Sequence, residues 1–340
     1  MKGVSIVQKR VVVYVLVPLL LVALALTGCE RDDSLTKVRL SEVTRSVFYS
    51  PLYAAINLGY FEDEGLELEV TTGQGADKVM TALLSGEVDV GFMGPEASVY
   101  VHNQGQDNYA VNFAQLTTCD GSFLVAREPD PNFTWDKVRG KSIIGGRKGG
   151  MPLMTLEYVL KNQGLMPGED VEVMTHIQFA LMGGAFTGGE GDYVTLFEPV
   201  ASALEMEGVG YVVASVGADS GKIPYTVFCA RKKLLAENPE IIQKFTNAIY
   251  RGQVWVQEST PEEIAQVIAP SFPDSDEVVL AKVAARYKET DAWAATPVFT
   301  EEAFARLQDV METAGELDKR APYSDLVTNE FAEKAMELVR

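Results

Sequence analysis

Two acids stand where a strand gives way to a helix: Glu96 in Met93-Gly94-Pro95-Glu96, and Glu198 in Thr195-Leu196-Phe197-Glu198-Pro199. In open α/β sheets ligands gather beyond the carboxyl ends of strands, so a carboxylate there can accept hydrogen bonds from amino groups of a bound molecule. The bland alternative is that Glu96 complements a helix dipole and Glu198 is a surface acid at a helix start. Before an earlier helix start lie Phe48 and Tyr49 in Ser46-Val47-Phe48-Tyr49; they offer stacking area for a flat ligand, or else belong to the core. Thr72-Gly73-Gln74-Gly75-Ala76 brings Gln74, the open backbone of Gly75 and free N–H groups to a fourth such place, unless it is a plain turn. In Gly145-Gly146-Arg147-Lys148-Gly149-Gly150-Met151, the residues Lys148, Gly149, Gly150 and Met151 could hold an anion through amide groups and one ammonium. The order of a P-loop is absent from that segment. Gln115, Asp120 and Tyr225 are expected on the floor of a cleft, and Phe186-Thr187-Gly188-Gly189-Glu190-Gly191 is either a lid or a turn.

All of this is recognition chemistry. His102 and His176 stand alone, without the three or four donors that a metal requires. No Gly-x-Ser-x-Gly elbow occurs. The residues therefore point to no catalytic group, no metal and no cofactor, and to non-covalent binding of a small molecule.

The elements that must position these loops alternate. Strands are expected at Val38–Ser41, Glu67–Val70, Val88–Phe92 and Tyr109–Gln115, with helices over Ser50–Leu58, Ala76–Leu84 and Glu96–Asn103 between them. Ser50-Pro51 supplies an N-cap and a first-turn proline, and Gly59 and Gly86 supply stops. A second set follows: strands at Ser122–Ala126, Lys141–Ile144, Val171–Met174, Gly191–Leu196 and Tyr211–Ala214, with helices at Met151–Asn162 and Val200–Glu207. After a strand at Tyr225–Ala230 the pattern is helical to the end, in five segments. Alternation of this kind predicts an α/β protein with mostly parallel sheets. Two lobes joined by two crossing strands, with a helical tail on lobe one, accommodate it. The expected division is residues 37–118 and 228–340 for lobe one and 119–227 for lobe two. Cys119 and Cys229 then lie near adjacent crossovers, where a disulfide would stiffen the hinge; otherwise they are two buried apolar residues.

The first 28 residues read as a leader. Lys2, Lys9 and Arg10 precede an apolar run from Val11 to Leu26, 16 residues long. A spanning helix needs about 20, so a signal peptide fits better. Leu26-Thr27-Gly28-Cys29 resembles the bacterial lipobox, which implies lipid on Cys29 and a membrane tether through residues 29–36. Loss of the three leader cations takes the formal charge from −19 to −22, a surface that repels nucleic acid and anionic lipid.

The stretch from Ser50 to Leu66, SPLYAAINLGYFEDEGL, resembles the opening of solute-binding proteins of ABC importers, in the branch for nitrate, sulfonate, taurine and thiamine-pyrimidine precursors. Ala82-Leu83-Leu84-Ser85-Gly86-Glu87-Val88-Asp89-Val90-Gly91 and Pro239-Glu240-Ile241-Ile242-Gln243-Lys244-Phe245 resemble two further blocks of that family. The resemblance implies a two-lobed periplasmic-binding-protein fold of type 2 that closes on a solute and docks on an ABC permease, extracytoplasmic and monomeric. The precursor branch usually carries an Asp-Trp pair after the first strand, where Glu42 and Val43 stand here; an aromatic platform would have to come from Phe48 or Tyr49. Its relatives place a Glu in a motif like that of Glu198. The acids and aromatics favour a nitrogen heterocycle such as a vitamin precursor. The alternative is a sulfonate, taurine or nitrate anion, for which Arg45, Arg147 and Lys148 are placed. A pyrimidine-synthase-like enzyme is the reading from another class, and the chain lacks the cysteine cluster of those relatives.

Overall fold

Strand β1 (Thr36–Glu42) runs parallel to β2 (Leu66–Thr72) on one side and β3 (Val90–Met93) on the other. A computed structural model describes residues 35–339; the leader and Cys29 lie outside the described residues. The first sheet is completed by β4 (Ala110–Gln115) and β10 (Val227–Arg231), in the order β2-β1-β3-β10-β4. Every residue of β3 and β4 is buried, as expected of strands covered by helices on both faces. The second sheet has β5 (Ser122–Ala126), β6 (Ser142–Ile144), β7 (Glu172–Met174), β8 (Tyr193–Phe197) and β9 (Tyr211–Ser215), in the order β7-β6-β8-β5-β9.

Each sheet is parallel except for one strand. β10 is antiparallel to β3 and β4, and β5 is antiparallel to β8 and β9. These are the first strands after the chain changes sheet, so each enters its sheet reversed. The two crossovers are joined: Leu116 N–H donates to Thr226 O at 3.0 Å, and Thr226 N–H donates to Thr117 Oγ1 at 2.9 Å.

The expected helices form. Ser50–Asn57, Glu96–Asn103, Met151–Asn162 and Val200–Glu207 each begin where a strand-to-helix loop delivers the chain. Short helices also occur at Met182–Thr187, Val216–Ser220 and Lys232–Glu237. The first of these replaces the lid or turn expected around Phe186. Its ring is fully buried beneath the Arg127 guanidinium, 4.3 Å from the ring centroid.

In the tail, Pro239–Glu258 packs on Ser50–Asn57 and on Glu330–Leu338. Helix Glu277–Glu289 does more than cover the first sheet. Its Arg286 bonds Glu198 at 2.7 Å and Glu205 at 2.6 Å, and its Tyr287 hydroxyl donates to Gly121 O at 3.0 Å, so the tail grips the second-sheet segment as well. The disulfide expected between Cys119 and Cys229 is not formed; both are free and buried. Cys229 lies against Gly91 of β3, whereas Cys119 lies against Gly217 and its thiol faces Thr290 O. Different neighbours hold the two sulfurs in separate parts of the core.

Candidate functional site

Three helix starts and one aromatic wall enclose a cavity of about 740 Å³. From the first-sheet side it is lined by Val43, Thr44, Tyr49, the 74–78 turn, Gly94 and Glu96; from the second-sheet side by Gly146, Arg147, Gly150 to Pro152, residues 178–181 and Phe197; and at the crossover by Tyr225 and Thr226. The volume falls within the range of small-molecule sites.

Glu96 opens helix Glu96–Asn103 and is 2% exposed. Its Oε2 has no hydrogen-bond partner. Burial pushes its carboxyl up to about 7, against the downward pull of its own and the Met151 backbone amides and of the Arg147 charge. Glycine at 94 is required here, because a Cβ would lie 2.0 Å from Glu96 Oε2. The carboxylate thus folds back over the start of its own helix and reaches the start of Met151–Asn162, the place an anion would otherwise take. Gln74, on the cavity wall, adopts a left-handed backbone with φ 58°. A non-glycine residue held there is a common mark of a functional turn. Arg147 bonds Asp77 at 2.7 Å, joining the two walls across the cavity mouth.

Of the residues singled out in the sequence, Tyr49, Gln74, Gly75, Glu96, Gly150, Met151 and Tyr225 line the cavity. The others do not. Phe48 is fully buried because its ring lies flat on Gly121, where a Cβ would come within 2.6 Å, and packs on Phe197, Tyr225 and Tyr287. Glu198 does not face the cavity: its carboxylate is spent on the Ser202 N–H (2.8 Å), the Ser202 hydroxyl (2.9 Å) and Arg286. Gln115 points along the backbone, its Nε2 donating to Thr117 O at 2.9 Å. Lys148 is exposed to solvent, and Gly149 instead accepts a 3.3 Å hydrogen bond from Tyr100 on the opposite wall.

Glu42, where the first strand ends, is also engaged. It is fully buried and accepts from Tyr53 (2.5 Å), Thr72 (2.9 Å) and Arg45 (3.1 Å). Sequence reasoning did not single out Phe179 and Phe197 as cavity residues; their rings lie 5.6 Å apart on its wall. Phe197 ends β8, so its position at a strand's carboxyl end was the available signal. Phe179 had none, since the loop carrying it has no periodic pattern.

A family model described as the NMT1-like family matches residues 36–269. The chain is 45% identical over 310 residues to the Bacillus subtilis (strain 168) protein named "Putative binding protein YtlA", covering 91% of this chain and 93% of that one. It is 27% identical over 226 residues to the 4-amino-5-hydroxymethyl-2-methylpyrimidine phosphate synthase of Aspergillus parasiticus, covering 62% and 63% of the two chains. The fold is similar to that of the alkanesulfonate-binding protein SsuA from Xanthomonas axonopodis pv. citri bound to MOPS, with TM-score 0.70, 17% identity, and 86% and 98% of the two chains covered. It is also similar to that of the periplasmic nitrate-binding protein NrtA from Synechocystis PCC 6803, with TM-score 0.70, 15% identity, and coverage of 90% and 89%.

Proposed function

The chain belongs to the NMT1-like family, and from that premise we propose that it is the solute-binding component of an ABC-type importer, which holds a small molecule in the cavity and delivers it to a permease. The kinship to a named binding protein across almost the whole chain supports this role, as does the likeness of the fold to binding proteins of known solutes. We place the protein outside the cytoplasmic membrane, tethered by lipid on Cys29, acting as a monomer and without catalysis.

The solute is a flat, nitrogen-bearing heterocycle with hydrogen-bond donors. The observation that carries this is Glu96: a buried carboxylate with an unpartnered oxygen, in a cavity whose other walls include Tyr49, Phe197, Tyr225 and Phe179. A buried acceptor of this kind discriminates strongly against a ligand that brings no donor. The test is calorimetric titration of the purified chain with aminopyrimidines, alkanesulfonates and nitrate. Binding of the aminopyrimidines, weakened roughly tenfold or more in E96Q, supports the reading; tight binding of the anions alone overturns it.

One observation favours the anion reading instead. The starts of helices Ala76–Ser85, Glu96–Asn103 and Met151–Asn162 all border the cavity, with Lys78 and Arg147 beside them. Helix starts favour anions, but Glu96 already supplies a carboxylate at two of the three, which is why the heterocycle is preferred. Radiolabelled palmitate incorporation that disappears in Cys29→Ser is the expected outcome for the tether.

A further inference from the structure

We propose that Asp120 sets the specificity of the cavity's crossover end by holding the Tyr225 proton away from the ligand, so that Tyr225 meets the solute as a hydrogen-bond acceptor and selects a second donor group there. This rests on the solute-binding reading above and names what the far end of that solute must carry.

Asp120 is 2% exposed and sits in the first crossover. Its Oδ1 accepts from Ser122 N–H at 2.6 Å. Three buried hydroxyls lie within interaction range of the same carboxylate: Ser122, Thr155 and Tyr225. None of the three hydroxyl oxygens has a hydrogen bond of regular geometry, and neither does Asp120 Oδ2. The nearby charges and donors therefore leave one acceptor facing three O–H groups. A carboxylate outcompetes a neutral acceptor for such protons, so each hydroxyl is drawn to donate inward. Burial pushes the Asp120 carboxyl up to about 6 while the hydroxyls and the Ser122 amide pull it down, which leaves it ionised at neutral pH. The Tyr225 phenol is held well above its ordinary range by burial and by the same carboxylate, so it keeps its proton.

Of the four residues, Tyr225 alone reaches the cavity wall. Thr155 stands one turn beyond the wall residue Met151 in helix Met151–Asn162, on the same face. Asp120 is thus a positioning residue acting through Tyr225. With its proton committed to Asp120, the Tyr225 oxygen offers only lone pairs to a solute. Glu96 at one end and Tyr225 at the other are then both acceptors, and a solute that satisfies both carries a donor at each end.

The experiment compares three probes on the full chain in detergent by calorimetry: 4-aminopyrimidine, its 5-aminomethyl derivative and its 5-methoxymethyl derivative. The expected result is tighter binding of the aminomethyl probe than the methoxymethyl probe by roughly tenfold or more. In D120N an amide can donate to the phenol oxygen and turn its proton outward, so the preference should shrink or invert; a merely structural role would weaken both probes alike. In Y225F the preference should vanish, and this variant carries the test if D120N does not fold. A preference that survives in D120N or Y225F overturns the proposal, as does equal binding of the two derivatives by the native chain, while binding of 4-aminopyrimidine leaves the solute reading intact. Failure of all three probes to bind overturns both.

Discussion

Glu96 has no buried counter-charge to stabilise its ionised form, and that carries a signature in stability. In the unfolded chain it titrates near 4.5, in the folded one near 7. The folded state therefore holds the proton more tightly. The associated stability is complete below about pH 4.5 and is lost as pH rises through 7, amounting to about 3 kcal/mol at most. Urea unfolding at pH 4.5 and pH 8 should show the native chain losing stability relative to E96Q across that window; parallel profiles would remove this account. Asp120 is shifted in the same direction, but it is common to both proteins and cancels in the difference. The cysteines give a simpler expectation: unfolded protein should titrate the same number of thiols with and without reductant, since Cys119 and Cys229 are unlinked. Glu96 and Glu198 looked alike as acids at helix starts. What separated them was Arg286, 88 residues further along the chain, which claims one carboxylate and not the other. No local pattern encodes that partnership.

At the scale of elements, the helix starts were the most legible part of the chain. Glycine, proline and capping residues act within a turn, so Met151–Asn162 and Val200–Glu207 follow from local chemistry. The reversed direction of β5 and β10 was not legible, because it depends on which sheet the chain enters next. The position of Phe48 was not legible either: a Phe before a helix start stacks a ligand or fills a core according to what covers it, and Gly121 covers it here. Helix Glu277–Glu289 and helix Val200–Glu207 are joined by Arg286, Glu198, Glu205 and Lys282. Arg286→Met would leave the fully buried Glu198 carboxylate without its cation, and a loss of about 3–5 kcal/mol in urea unfolding is expected. The Arg147–Asp77 pair across the cavity mouth is half exposed on both sides, and such pairs contribute at most about 1 kcal/mol. D77N should therefore speed solute release by no more than about fivefold in stopped-flow measurements, with solute association nearly unchanged.

At the scale of the whole molecule, the first sheet is interrupted by the entire second one. The chain leaves after β4 and returns at β10, and those two strands pair directly, Gln115 opposite Val227. The inserted part is equally well closed, since β5 and β9 pair with Phe123 opposite Ser215. Both the departure point and the return point of each part therefore lie side by side. Seen as modules, the second sheet is a guest whose ends meet and the first is a host whose gap can be sealed by a short link. A chimera that takes its 122–215 segment from a relative should fold, with a single unfolding transition by calorimetry, provided Glu198, Ser202 and Glu205 travel with a matching Arg286. Each part supplies one wall of the cavity, so exchanging guests recombines half-sites. New solute preferences become reachable by shuffling, without rebuilding any core.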